Sequence, residues 1–323
     1  IRYIWYNEHR GTGVIEMEEK HDGRVVVLTN MKGGIGKTTD NDLLAVVASQ
    51  MFGKKVLLID YDQQGNTTAN ISRTFDVPVF ERSFAKAVMV KDFESSITQV
   101  SQNLYIMPTS ITSKELNDWL KDTYKDEYSQ HLAFVDPLNK LRQQFDLILF
   151  DCPPSTDHVV DAVLTAADYV IPLQELKAFA MESTSKFINE VLMPIVTSYA
   201  EESRVQILGI IPVLWSRRRD LQMNHYNDLY TKYGEENIFA TPIKSSDRLE
   251  LFGETGIQLN DYVDRRMWSV FADIFCEMNE RIAYYESTGD MEGFSYTPQY
   301  SDAVQNKVLP KGKEIEINGI TTK

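Results

Sequence analysis

One ten-residue stretch constrains the fold of this chain more than any other part of the sequence. It reads Asn30-Met31-Lys32-Gly33-Gly34-Ile35-Gly36-Lys37-Thr38-Thr39, between the apolar run Val25–Leu28 and a helical pattern that starts at Asp40. A buried strand, a glycine-rich loop and a helix in this order predict a phosphate-binding loop, because backbone N–H groups converge there on phosphate oxygens. Lys37 is then expected to reach the terminal phosphates, and the Thr38 hydroxyl to bind Mg²⁺.

The stretch departs from the general pattern G-x-x-x-x-G-K-[ST]. Met31 stands at the first glycine position, and Lys32 adds a lysine beside the paired glycines. A strand-to-helix turn without a ligand is the alternative, but the glycines followed by Lys-Thr-Thr favour the phosphate site. The nearby Asp40 and Asp42 are interpreted as acidic groups of the kind that a helix N-terminus tolerates.

Unbroken apolar runs alternate with helical patterns along most of the chain, as expected of parallel strands that are covered on both faces. We therefore predict an α/β fold with a doubly wound, mostly parallel sheet of the P-loop NTPase type and helices on both faces. The predicted strands are 25–28, 56–59, 104–107, 147–150, 169–173 and 207–213, and the predicted helices are 41–52, 113–122, 159–167, 179–199, 217–233 and 263–287.

Three regions are predicted from the changes in pattern. Residues 1–23 form an N-terminal extension with two strand-like pieces, and residues 24–288 form the α/β domain. Residues 289–323 are predicted to be an extended or disordered tail, because they contain glycine, proline and scattered charge without a period.

Two further strand ends carry carboxylates. Asp60 and Asp62 follow the run 56–59, and Asp151 follows the run 147–150. Ligands of doubly wound sheets bind at the carboxyl ends of the strands. Asp62 is expected to orient a water for attack on a γ-phosphate, and Asp60 or Asp62 to support the metal. Asp151 is the expected Mg²⁺ partner of a phosphate loop. A simple acidic turn is the alternative for the first pair.

Composition limits the partners. The formal net charge of −14 argues against general attraction to nucleic acid or anionic lipid, so any DNA contact needs a local basic patch. Cys152 and Cys276 lack metal-ligand spacing and predict no disulfide framework. No apolar segment approaches the roughly 20 residues of a membrane span, and the start lacks a signal-peptide pattern. We therefore predict a cytoplasmic protein without a membrane partner.

Three motifs resemble the ParA/MinD family of deviant Walker-A ATPases. They are Lys32–Thr39, Asp60–Asn66 and Asp151–Pro154, and Ile171–Gln174 also resembles that family's next strand. The likeness extends from about Arg24 to Ala283 and is closest to ParA-type plasmid partition proteins that lack an N-terminal DNA-binding domain. It implies ATP and Mg²⁺ as cofactors.

The resemblance assigns roles to individual residues. Lys32 resembles the signature lysine, which reaches the phosphates of the opposite subunit in a nucleotide-sandwich homodimer. The other implied roles are Lys37 as the phosphate-loop lysine, Thr38 as the Mg²⁺ ligand, Asp62 as the water-orienting carboxylate and Asp151 as the Walker-B aspartate. The implied nucleotide contacts are Lys32, Gly33, Gly34, Ile35, Gly36, Lys37, Thr38 and Thr39, with Ile243 and Lys244 lining the adenine. These two residues belong to the segment Thr241–Lys244, for which plain core packing is the alternative.

Two positions depart from the family pattern. The family usually has proline at Gln63, and Asn-Leu-Ala where Leu43-Leu44-Ala45 stands. The missing helix asparagine is expected to alter the surroundings of Mg²⁺.

Absences weigh against two branches of the family. The segment Lys311–Asn318 is too short and too mixed in charge for a membrane-binding helix, and the cysteines do not fit a bridging iron–sulfur cluster.

For the DNA-partition branch, the predicted DNA contacts are Arg217, Arg218, Arg219, Lys244 and Arg248. They would contact phosphates without reading bases. The alternative for the three arginines is a solvated charge cluster that pairs with Asp220 and Asp228.

The sequence therefore predicts a Mg²⁺-ATP-dependent, dimerising ATPase for plasmid partition. In the ATP state it would bind double-stranded DNA non-specifically and associate with the nucleoid, and a centromere-binding adaptor protein would stimulate hydrolysis. The alternatives are an ATPase that positions a protein cargo, and a nucleotide-switched binding protein with negligible turnover.

Overall fold

The computed structural model describes residues 22–77, 80, 82–110, 113–155, 157–214, 220–301, 315–317 and 320–322. The strands are β1 Arg24–Thr29, β2 Val56–Asp60, β3 Thr98–Gln99, β4 Leu104–Met107, β5 Leu147–Asp151, β6 Tyr169–Glu175, β7 Gln206–Ile207, β8 Ile211–Val213, β9 Ile315–Ile317 and β10 Ile320–Thr322. The helices are α1 Lys37–Gln50, α2 Asn66–Phe75, α3 Phe84–Val90, α4 Ser113–Thr123, α5 Glu127–His131, α6 Val135–Leu141, α7 His158–Ala166, α8 Ala178–Lys186, α9 Met193–Ser198, α10 Asp220–Tyr233, α11 Asp247–Thr255 and α12 Tyr262–Thr288. A π-helical segment, Phe187–Leu192, joins α8 to α9, and short 3₁₀ turns lie at Glu94–Ser96 and Glu235–Asn237.

The main sheet has the order β3-β4-β2-β5-β1-β6-β7, and β8 also pairs with β6. All of its pairings are parallel except that of β3 with β4. The strands β9 and β10 form a separate antiparallel pair. The predicted mostly parallel sheet is confirmed, and β1, which leads into the glycine-rich loop, lies between β5 and β6.

Alternate residues of β1 enter two different hydrophobic clusters. Val26 and Leu28 pack with residues of α1 and α12, whereas Val25 and Val27 pack with residues of α3 and α7. Neighbouring side chains of a strand point to opposite faces, so each face of the sheet is covered by helices. This arrangement explains why the central strands read as unbroken apolar runs, and it confirms the doubly wound fold.

The predicted strand 207–213 is instead two short strands separated at Gly209. Gly209 has φ 145°, and a side chain there would come within 2.9 Å of the Arg281 guanidinium. That guanidinium is buried, pairs with Glu277 at 2.8 Å and donates to the Ile238 carbonyl at 2.7 Å. The strand is therefore broken where a buried arginine needs backbone acceptors.

The chain ends lie partly outside the described residues, including residues 1–21 of the predicted extension. The first part of the predicted tail packs on α12. The buried Asp273 carboxylate accepts hydrogen bonds from the N–H groups of Gln299, Tyr300 and Ser301, at 2.7–2.9 Å. Among the helices that the structure describes, none is long and apolar enough to cross a membrane.

Candidate functional site

The loop between β1 and α1 has the backbone of an anion site. Gly34 and Gly36 have φ 76° and 97°, values that a residue with a side chain rarely adopts. Gly33, Gly34 and Gly36 are exposed, whereas Ile35 is buried in the core and anchors the loop. Gly36 supplies no side-chain cap to α1. The first N–H groups of α1 are therefore available to an external acceptor.

Lys37 is the first residue of α1 and is only 7% exposed. Its ammonium donates a long hydrogen bond, 3.4 Å, to the Lys32 carbonyl. Burial lowers the pKa of Lys37, while the charges of Asp151 and Asp62 act in the opposite direction. A buried ammonium has three donors to satisfy, so Lys37 favours an anionic ligand at this loop.

The hydroxyl of Thr38 is hydrogen-bonded to the carboxylate of Asp151. The Thr38 Oγ1 donates to Asp151 Oδ2 at 2.9 Å, and Thr67 Oγ1 lies at 2.9 Å from the same oxygen. Burial raises the pKa of Asp151 to about 6, and the two hydroxyl groups limit that rise. Mg²⁺ prefers hydroxyl and carboxylate oxygens, so this pair is a suitable place for it. The structure thus brings two predicted metal residues together, and Thr39 lies next to them, half-buried.

Asp60 and Asp62 occupy different environments at the end of β2. Asp60 is fully buried, and its Oδ2 accepts from the N–H and the hydroxyl of Thr68, at 2.8 and 2.6 Å. Burial raises the pKa of Asp60 well above its usual value. Asp62 is half-buried, and its Oδ1 accepts from the Gln64 N–H at 3.0 Å. Asp60 therefore fixes the start of α2, and Asp62 is the acid that remains accessible to a ligand.

A buried polar group beside the loop was missed by sequence reasoning. Asp42, interpreted from the sequence as an acid that a helix N-terminus tolerates, is fully buried, and Asp40 is 2% exposed. The Asp42 oxygens accept from Thr67 Oγ1 and Asn70 Nδ2, both at 2.7 Å. Burial, with the charge of Asp151, raises the pKa of Asp42 to about 8. The sequence feature that could have indicated the burial of Asp42 is its position near the start of a predominantly apolar helix.

Lys32 is turned toward the end of β6. Its side chain is 48% exposed, and Nζ lies 2.5 Å from Oε2 of Glu175. The other carboxylate oxygen of Glu175 pairs with Lys177. Burial opposes the shift, but the hydrogen bonds from Lys177 and Lys32 hold the pKa of Glu175 below its usual value. The Lys32 N–H donates to Asn30 Oδ1 at 2.6 Å, and the Asn30 amide donates to the Leu173 carbonyl.

The predicted adenine segment runs along β8. The Ile243 N–H donates to the Pro212 carbonyl at 2.8 Å, and the Ile243 side chain is 3% exposed within the hydrophobic core. This placement favours the core-packing alternative for that side chain. Lys244 follows and is half-buried.

The predicted DNA contacts are only partly described. Arg217, Arg218 and Arg219 lie outside the described residues. Arg248 lies in α11 and pairs with Asp261 and Asp264, both at 2.8 Å. Because the Asp264 side chain is 0% exposed, the positive charge of Arg248 is largely compensated by carboxylates of the same chain. Its contribution to a basic surface is correspondingly reduced.

Known proteins resemble most of this chain in sequence. An AAA-domain family model matches residues 23–201, which is more than half of the chain. The chromosome-partitioning ATPase Soj of Treponema pallidum is 28% identical over 243 residues, covering 74% of this chain and 90% of that protein.

Two solved structures have the same fold. A plasmid partition protein from Borrelia burgdorferi is 22% identical, with a TM-score of 0.59, and the match covers 79% of this chain and 99% of that one. Cobyrinic acid a,c-diamide synthase from Mycobacterium smegmatis, with a bound ATP analogue and magnesium, is 21% identical, with a TM-score of 0.60 and coverages of 83% and 97%.

Proposed function

The chain belongs to the ParA/MinD family of ATPases, and from this premise we propose that it is a Mg²⁺-ATP-dependent, dimerising ATPase that partitions plasmid DNA. The observation that carries the proposal is the buried ammonium of Lys37 beside the Thr38–Asp151 pair, with 2.9 Å between the two oxygens. A cation, a hydroxyl and a carboxylate at one glycine-rich loop are the groups that bind a nucleoside triphosphate and its metal ion.

The residues of the loop fit ATP and Mg²⁺. Bound Mg²⁺ neutralises charge on phosphate oxygens and orients them. Thr38 supplies a hydroxyl ligand, and Asp151 holds that hydroxyl in place and supplies negative charge for the metal. Lys37 binds the terminal phosphates, together with the uncapped N–H groups at the start of α1. The cobyrinic acid a,c-diamide synthase structure, with its ATP analogue and magnesium, supports this assignment by analogy of fold.

Asp62 is the residue proposed to act on the attacking water. Its carboxylate is half-buried and close enough to Lys37 to influence that lysine's pKa. A carboxylate in this place accepts a hydrogen bond from the water and aligns it for in-line attack on the γ-phosphate. Asp60 is less suited to this role, because its side chain is fully buried and its Oδ2 already accepts two hydrogen bonds from Thr68.

Lys32 makes the proposed site incomplete in a single subunit. In the dimer its ammonium would contact the phosphates bound by the opposite subunit. ATP then acts as a dimerising ligand, because it has a higher affinity for the paired state than for the free subunit. Hydrolysis removes the γ-phosphate and with it the contact that holds the two subunits together.

DNA partition is supported by the similarity of the chain to two proteins, the Treponema chromosome-partitioning ATPase and the Borrelia plasmid partition protein. The proposed DNA contacts are Arg217, Arg218, Arg219 and Lys244, with a smaller contribution from Arg248. They would bind phosphates without base specificity, which gives a strong salt dependence. The protein would then work in the cytoplasm on nucleoid DNA, with a centromere-binding adaptor that stimulates turnover.

The test compares wild type with Lys32→Ala and with Lys54→Ala, an exposed lysine outside the loop. Light scattering measures the dimer with ATP and with ADP, and phosphate release is followed with and without random duplex DNA. We expect an ATP-specific dimer and salt-sensitive DNA binding in wild type and Lys54→Ala, and neither the dimer nor hydrolysis in Lys32→Ala. Turnover without any DNA binding would instead favour the cargo-positioning ATPase, and ATP-dependent binding without turnover would favour the nucleotide switch.

A further inference from the structure

The ammonium of Lys32 forms an ion pair within its own subunit. Nζ lies 2.5 Å from Glu175 Oε2, and the Glu175 side chain is only 3% exposed. The backbone of Lys32 is fixed separately, since its N–H donates to Asn30 Oδ1 and the Asn30 amide donates to the Leu173 carbonyl. Contact with another subunit therefore requires the flexible side chain of Lys32 to leave Glu175, while its backbone stays in place.

A second lysine makes this departure possible. Lys177 pairs with Oε1 of Glu175 and has a 59% exposed side chain. A buried carboxylate that loses its only counter-ion is strongly destabilised, because no water replaces the cation. Glu175 has two cations, so one can leave while the other still compensates the charge.

We propose that Glu175 is a positioning residue that holds Lys32 on its own subunit until a nucleotide-bearing partner arrives, and that Lys177 keeps Glu175 compensated after Lys32 has left. The inference rests on the proposed ATP-dependent dimer. The γ-phosphate of the partner's nucleotide carries more negative charge than one carboxylate, so it competes with Glu175 for the ammonium. The ion pair thereby sets how much nucleotide is needed for association.

This exchange predicts opposite effects for the two partners of Lys32. Glu175→Gln removes the charge that holds Lys32, so the dimer should form more tightly, by about three- to ten-fold in Kd. Lys177→Ala leaves Lys32 as the main counter-ion of Glu175, so association should weaken by a similar factor of about three- to ten-fold. Two variants that merely damage the fold would both weaken it.

A double variant separates this exchange from a direct role of Lys177. If Lys177 itself contacted phosphate or DNA, its removal would weaken association in any background. If it acts through Glu175, Lys177→Ala should change the Kd by less than about two-fold in the Glu175→Gln background, because no buried charge remains to be compensated. Lys186→Ala on α8, which breaks an exposed pair with Glu182, is the matched control and should leave the Kd unchanged.

The experiment measures the dimer Kd by sedimentation with a non-hydrolysable ATP analogue and Mg²⁺, and the thermal midpoint of each variant. Opposite shifts in the two single variants, with loss of the Lys177 effect in the double variant, support the inference. If wild type dimerises but the shifts share a direction or are absent, the inference is wrong and the proposed function stands. If wild type fails to dimerise, both are wrong. If Glu175→Gln does not fold, Lys177→Ala alone decides, and an unchanged or tighter dimer overturns the inference.

Discussion

Replacing Asp42 by asparagine tests the electrostatics beside the loop. The Asp42 side chain is fully buried, and its oxygens lie 2.7 Å from Thr67 Oγ1 and from Asn70 Nδ2. The Thr67 hydroxyl also lies 2.9 Å from Asp151 and has only one proton to donate. The conflict is resolved when Asp42 is protonated, because its O–H then donates to Thr67 and Thr67 donates to Asp151. The pKa of Asp42, raised to about 8 by burial and by Asp151, agrees with this arrangement.

The raised pKa makes the free energy of unfolding depend on pH. The pKa of Asp42 is about 8 in the fold. In the unfolded chain an aspartate has a pKa of about 3.9, so the folded state retains a proton that the unfolded state releases. The free energy of unfolding therefore falls as the pH rises from about 4 to about 8. At pH 7 this linkage favours the unfolded state by about three pKa units, which corresponds to roughly 4 kcal/mol.

The asparagine side chain introduced by Asp42→Asn would carry no such cost and could keep both contacts, with its amide donating to Thr67 and its carbonyl accepting from Asn70. We therefore expect Asp42→Asn to raise the free energy of unfolding by about 2–4 kcal/mol at pH 7 and by almost nothing near pH 4. Urea unfolding of the nucleotide-free protein across that pH range measures the difference. Asp118→Asn, at an exposed position on α4, is the control and should show no such trend. A gain from Asp42→Asn that does not grow with pH would refute the reasoning.

Three further predictions concern the site and its support. Asp62→Ala should lower hydrolysis by about 10²–10⁴-fold and leave the ATP-dependent dimer intact, as measured by phosphate release and light scattering; hydrolysis at the wild-type rate would exclude the water-orienting role. Thr38→Ala should abolish the gain in nucleotide affinity that Mg²⁺ provides, without changing affinity in EDTA, and titration calorimetry would show an undiminished Mg²⁺ effect if the assignment is wrong. Arg248→Ala should lower the free energy of unfolding by about 1–3 kcal/mol, because Asp264 then remains buried without its cation. An unchanged urea midpoint would contradict that structural role and favour a surface role for Arg248.

Much of the fold could be predicted because its signals are local. The residues of β2, β5 and β6 are buried throughout, and a strand that is covered on both faces has to be apolar at nearly every position. The break at Gly209 could not be predicted in this way. It depends on Arg281, a residue from a distant helix, whose guanidinium needs carbonyl acceptors at that point.

The sequence by itself determined the glycine-rich loop and the positions of Lys37 and Thr38 at its end, since a short run of neighbouring residues is enough to define the proposed phosphate site. Only the tertiary structure decided how the acids around it differ. Asp60 is held by Thr68, Asp42 by Thr67, and Asp62 remains accessible. The pairing of Lys32 with Glu175 likewise joins positions 143 residues apart. Burial and charge compensation depend on which side chains the sheet order brings together. A local sequence pattern cannot predict such pairings, because the paired residues are far apart in the chain.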